Sequence, residues 1–254
     1  MNKLYDINLF GLVLQYFDIN EIVSLIKKDD SHGILNFILQ NKWCISNLNK
    51  DTYHWIEKGF ININKLDISL SKISKIPNTL INLRELNCSL SKISEVPNTL
   101  INLRELNCFW SKISEIPNTL INLRKLDVSW SSLMTIIPKE LVNLRILYCN
   151  HTDINYIPKE LVNLQELKCY STEISEIPNT LVNLRELICA ETKISKIPNT
   201  LVNLRELYCS ETRISEIPNT LVNLRELICA ETKISKIPNT LVNLRELYCS
   251  ETRI

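Results

Sequence analysis

Residues 174–213 read ISEIPNTLVNLRELICAETKISKIPNTLVNLRELYCSETR, and residues 214–253 repeat those forty letters without a change. Each forty is itself two units of twenty. Aligning on the second Leu of LREL puts Leu66, Leu86, Leu106 and Leu126, then Leu147, Leu167, Leu187, Leu207, Leu227 and Leu247, in one column. Every step is 20 residues except one of 21, where SSLMTIIP carries an extra residue between Leu133 and Pro138. This makes ten units from about residue 61 to residue 254. A fixed period of this length marks a stack, in which no unit can bury its apolar face alone and each covers its neighbour.

One unit follows L-x-x-L-x-C-x-x-[ST]-x-I-x-x-[IV]-P-x-x-L-x-N. In ELNCS (85–89), Leu86 and Cys88 share one side of a short strand by period-two alternation. Pro77, Pro97 and their counterparts through Pro238 follow each strand at a fixed interval. Proline cannot donate to a sheet ladder, so these residues mark the far side of each coil. Twenty residues leave little room for a helix there, and turns, 3₁₀ or extended chain are expected.

The pattern resembles the leucine-rich repeat. Leu83, Leu86, Cys88, Ser91, Ile93, Val96 and Leu100 sit where that family places its inward residues. The resemblance implies a leucine-rich repeat solenoid with one parallel β-strand per repeat lining a concave face. The departure is at the family's usual Asn position, held here by Ser71, Ser91 and Ser111 and then by Thr152 through Thr252. Their hydroxyls are expected to bond the backbone of the turn after each strand.

Residues 1–60 do not follow the repeat. Apolar residues at helical spacing in YDINLFGLVLQYF, a capping Asp18 or Asn20 before EIVSLIKK, and HGILNFILQNKW predict a small α-helical N-terminal region. Trp43, Trp55 and Phe60 are placed to cover the first repeat. The arrangement also resembles an F-box, with Leu9, Leu12, Leu14, Phe17, Ile19, Ile22 and Leu25 on its apolar pattern but without the early Leu-Pro pair. That resemblance implies docking of residues 5–45 on a Skp-type adaptor of a cullin ubiquitin ligase. Repeat proteins with such N-termini resemble sets found in giant DNA viruses. A plain helical cap over the stack is the competing reading.

Composition excludes several function classes. The net charge of +1 gives no electrostatic case for nucleic acid or an anionic membrane as main partner. No run of about 18 apolar residues predicts a spanning helix. The first residues do not read as a signal peptide, so an intracellular, cytoplasmic protein is expected (host cytoplasm if viral). His32, His54 and His151 have no nucleophile motif around them, and no phosphate or dinucleotide fingerprint is present, so no enzyme and no cofactor are expected. Eight of the nine cysteines, Cys88 through Cys249, share one column that takes Ile68 and Val128 in the other two units. A column that accepts Ile and Val is a core column, which predicts buried thiols rather than metal ligands.

The charges also form columns. Glu186, Glu206, Glu226 and Glu246 stack like on like, a cost that Arg185, Arg205, Arg225 and Arg245 alongside are expected to offset. The monotony breaks in the middle units, at Phe109, Trp110, Trp130, Tyr148, Asn150, His151 and Tyr170. Trp110, Trp130 and His151 share one column and should stack side by side. They are expected to point away from the core toward the concave face and to bind a protein partner; lateral packing alone is the alternative. A fainter stripe joins Tyr148, Tyr208 and Tyr248 with Ile188 and Ile228. The last strand has only ETRI after it, so that end is read as fraying, self-associating or continuing into further chain.

Overall fold

The computed structural model describes residues 43–46 and 63–254. The helices expected before residue 43, and with them Leu9, Leu12, Leu14, Phe17, Ile19, Ile22 and Leu25, lie outside the described residues, as do Trp55 and Phe60. The sheet starts with β1 (Trp43–Ser46), β2 (Ile63–Asp67), β3 (Glu85–Asn87), β4 (Glu105–Asn107) and β5 (Lys125–Asp127). It continues through β6 (Ile146–Tyr148), β7 (Glu166–Lys168), β8 (Glu186–Ile188), β9 (Glu206–Tyr208), β10 (Glu226–Ile228) and β11 (Glu246–Tyr248). All are parallel and paired in sequence order, so each coil adds one strand. From β2 to β11 leucine faces leucine, Leu66 on Leu86 and Leu227 on Leu247.

One element departs from the sequence reading. Residues 43–46 were expected in the helical N-terminal region, but they form β1, which pairs with β2 from Trp43 opposite Ile63 to Ser46 opposite Asp67, with a shift in register after Trp43. The segment WCIS lacks the L-x-x-L frame, so the repeat pattern did not reach it.

The core follows the columns. In the unit from Leu181, the residues Leu184, Leu187, Cys189, Ile194 and Ile197 are fully buried, as is Leu181 itself. Burying each such side chain stabilises by roughly 1.5–3 kcal/mol, and the coil on either side supplies the cover. The far side of the coil is turns and extended chain, with no helix among the described residues. Leu100 N–H donates to Pro97 C=O at 3.3 Å and Leu103 N–H to Leu100 C=O at 2.9 Å, so two turns run in succession. Proline occupies the acceptor end, where only its carbonyl is used.

Two polar ladders tie the coils together. The Asn column that ends each repeat donates Nδ2 to the preceding coil, as Asn183 to Val162 C=O and Asn203 to Val182 C=O, each at 2.9 Å. Beside it, Thr200 Oγ1 donates to Asn179 C=O at 2.7 Å. The Ser/Thr column does bond its own turn: Thr192 Oγ1 donates to Cys189 C=O at 2.7 Å, and Ser91 Oγ to Cys88 C=O at 2.6 Å. Among the described residues, no helix is long and apolar enough to cross a membrane.

Candidate functional site

The aromatic residues are placed by a backbone feature common to all ten repeats. The fourth residue after the aligned Leu has φ between 49° and 61°: Leu70, Leu90, Trp110, Trp130, His151, Ser171, then Glu191 through Glu251. Left-handed φ normally selects Gly or Asn, because a Cβ there crowds the following carbonyl. The sheet ladder holds it in place. Trp110 N–H still donates to Ser129 C=O at 2.9 Å, and Trp130 N–H to Asn150 C=O at 2.8 Å. The Ser/Thr hydroxyl one residue on closes most of these turns. This column therefore lies in the turn leaving the strand, just beyond its last outward residue, at the rim of the sheet. Its side chains are thrown outward, with Trp110 57% and Trp130 42% exposed.

The expected stacking is present and longer than the column alone. Phe109 and Trp110 meet at 6.4 Å between ring centroids, tilted by 59°. Trp110 and Trp130 lie 5.6 Å apart and 9° from parallel. Trp130 and His151 are 3.9 Å apart, and His151 meets Tyr170 edge-on at 5.1 Å. Five rings thus form one run across four coils, extended toward the N-terminus by exposed Leu90 and Leu70. Such pairs contribute about 0.5–1.5 kcal/mol each beyond area burial.

Two predicted residues belong elsewhere. Asn150 is buried, with Nδ2 donating to Ser129 Oγ at 3.3 Å and Oδ1 accepting from Tyr170 N–H at 3.1 Å. Its amide is used between coils and is closed to a partner. Tyr148 sits on the strands themselves, beside a concave hollow of about 280 Å³ that it shares with Lys65, Asp67 and Lys125. Its hydroxyl donates to Glu166 Oε1 at 2.5 Å, and the Lys168 ammonium lies 4.9 Å over its ring. Burial and that bond to Glu166 push the Tyr148 phenol up to about 12. Lys168 bridges Glu166 and Glu186 at 3.1 and 3.0 Å; burial opposes its charge, but the bonds to Glu186 and Glu166 hold it above the usual lysine range.

The Glu column is in register as expected, Glu186, Glu206, Glu226 and Glu246 being direct partners. Burial, with Glu186 and Glu226 on either side, raises Glu206. The arginines do not offset it. None of them forms an ion pair with a described carboxylate. They turn instead toward the Asn ladder. Arg185, Arg205, Arg225 and Arg245 line a groove of about 480 Å³ with Asn183 through Asn243. Arg84, Arg104, Arg124 and Arg145 line a second of about 340 Å³. Gln165 takes the Arg position at the end of the first groove, where the two run toward each other. Sequence reasoning missed this groove; the signal available was a polar Asn that never varies from Asn102 to Asn243 in an otherwise apolar segment.

The thiols are core residues. Cys88 through Cys229 are buried and free, with Cys88 and Cys108 sulfurs 3.6 Å apart. Burial raises Cys108, Cys149, Cys169, Cys189, Cys209 and Cys229, with Cys169 reaching about 12 and Cys229 about 11. Among the described residues, no group of three or more His, Cys, Asp or Glu is placed to hold a metal ion.

A leucine-rich repeat family model matches residues 122–144. Curated protein sequences give no significant match. Among solved structures, the functional domain of InlJ from Listeria monocytogenes, described as including a cysteine ladder, superposes with a TM-score of 0.73 at 22% identity. That match covers 86% of this chain and 50% of InlJ's, so the chain spans half the length of that relative. Internalin inlF of the same organism gives 0.73 at 22%, over 94% of this chain and 84% of its own. A plant peptide hormone receptor, RGFR1 in complex with RGF2, gives 0.59 at 24%, over 83% and 42%. Identities this low speak to fold alone. Ten twenty-residue units, one in-register parallel strand from each, and these superpositions together make the chain a leucine-rich repeat solenoid.

Proposed function

We propose that the protein is a non-enzymatic interaction scaffold that captures a protein partner on the aromatic run Phe109, Trp110, Trp130, His151 and Tyr170, with Tyr148 on the adjoining strands. One observation carries this reading. The backbone at the rim is left-handed in every repeat, with φ of 61° at Trp130 and 54° at Glu211 and the same ladder bond to the next coil at both. The coils therefore stack without aromatic residues, and the rings are an addition to the surface. Two exposed tryptophans on adjacent repeats offer the low-entropy apolar area that anchors protein contacts. A fold of this kind also forms the plant peptide hormone receptor RGFR1, seen in complex with RGF2, which supports a protein or peptide as partner class.

The test is capture from eukaryotic lysate by the full chain and by Trp110→Ala/Trp130→Ala. Loss of the captured partner, with cooperative unfolding retained, supports the reading; equal capture by both refutes it.

The F-box-like spacing of Leu9 through Leu25 favours a second reading, a substrate adaptor that docks a Skp-type subunit through residues 5–45. Because β1 pairs with β2, the comparison bait must keep residues 43–254 rather than 61–254. Skp and cullin subunits recovered by the full chain alone support the adaptor. Their absence from both baits makes the N-terminal region a cap.

A further inference from the structure

The arginine grooves lie on a different face from the aromatic run and are unexplained by it. Guanidiniums repeat once per coil, at the strand spacing of about 4.8 Å. Like charges at that interval repel, and no described carboxylate pairs with them. The glutamates of the neighbouring column do not line the grooves. The walls hold cationic donors and Asn side chains whose Nδ2 is already used between coils. Their Oδ1 accepts no hydrogen bond from the described residues, which leaves a row of free acceptors beside a row of exposed cations.

That combination selects a ligand class. Phosphate chains offer acceptors only and leave the Asn oxygens unmatched. Single-stranded nucleic acid binds on aromatic stacking platforms, and the grooves contain none. An anionic polysaccharide carries sulfate or carboxylate groups for Arg and hydroxyl donors for Asn along one extended chain. We infer that the Arg185–Arg245 groove, with its Arg84–Arg145 counterpart, is a track for a linear anionic polysaccharide lying along the solenoid axis.

Gln165 shows that glutamine fits the Arg position in this fold, so Arg→Gln removes charge without disturbing the coil. The experiment measures binding to heparin, polygalacturonate, neutral dextran, polyphosphate and oligo-dT at low salt. It compares the wild-type chain with Arg185, Arg205, Arg225 and Arg245 all changed to Gln. A charge-matched control changes Lys193, Lys196, Lys233 and Lys236 to Gln, none of which lines the groove. The expected result is binding of heparin or polygalacturonate, and of neither dextran nor the two phosphate polymers at comparable strength. The Arg variant should bind at least roughly tenfold more weakly and the Lys control nearly as well as wild type, since guanidiniums lining the groove rather than net charge carry the affinity. Polygalacturonate carries carboxylates alone and heparin both groups, so binding of polygalacturonate shows that carboxylate suffices, and binding of heparin alone shows that sulfate is needed. Equal losses in the two variants, polyphosphate or oligo-dT binding as tightly as the polysaccharides, or no polysaccharide binding at all would each overturn the assignment.

Discussion

At the level of single residues, the rim position is the costliest in the fold. Ten non-glycine residues hold left-handed φ, and the sequence has no glycine beyond Gly59 to relieve them. Glu211→Gly should therefore stabilise the chain by about 0.5–1 kcal/mol, since it removes a Cβ clash at a position already fixed by the ladder. Glu211→Val should destabilise by more than that, because a β-branched side chain fits this region worst. Denaturant midpoints read both. The thiols make a second residue-level prediction. A group whose folded pKa is raised gives stability that is full below its unfolded value and lost as pH climbs through the folded one. Unfolded Cys titrates near about 8.5 and Tyr near about 10. Cys229 at about 11, with Cys169 and Tyr148 at about 12, therefore cost stability progressively from about pH 8.5 to 12. Cys169→Val and Cys229→Val, which copy Val128 in the same column, should flatten that decline in a pH series of unfolding curves.

At the level of the repeat, the legible part was what periodicity controls. The Leu columns, the cysteine core and the strand register all follow from a twenty-residue frame, because a buried position admits few residue types and repeats them. What the frame did not carry was direction in the turn. Strand alternation from Leu126 through Val128 would turn Trp130 inward, but a left-handed residue ends that alternation and throws the ring out. No glycine flagged the turn. Asn150 looked like its neighbours in the list of irregular residues, yet its short amide reaches Ser129 and Tyr170 and closes on the sheet. The arginines failed as partners for glutamate because both precede the inward Leu: Glu186 is in the strand, while Arg185 stands before it on the Asn side. Since each coil touches only its neighbours, removing residues 214–253 rejoins identical sequence and should leave a cooperative fold with a proportionately smaller unfolding free energy and m-value. A collapse to a non-cooperative transition would show that the last coils hold the rest together.

Over the whole molecule, the rim changes character halfway along. It is apolar and aromatic from Leu70 to His151 and acidic from Glu191 to Glu251, over a backbone that does not change. The arginine grooves run along the Asn side, away from the rim. The identical forty-residue copies thus repeat the acidic rim, while the earlier, divergent repeats carry the aromatic one. The claim beneath this account is that the aromatic run rests on a stack that does not need it. The most direct measurement is denaturant unfolding of Trp110→Glu/Trp130→Glu, which gives those coils the residue already present at Glu191 and Glu211. The account predicts one transition with the wild-type m-value, and a loss no larger than a few ring contacts at about 0.5–1.5 kcal/mol each. A transition that splits in two, or an m-value that falls, would show that the rings bind the coils to one another and would contradict the claim.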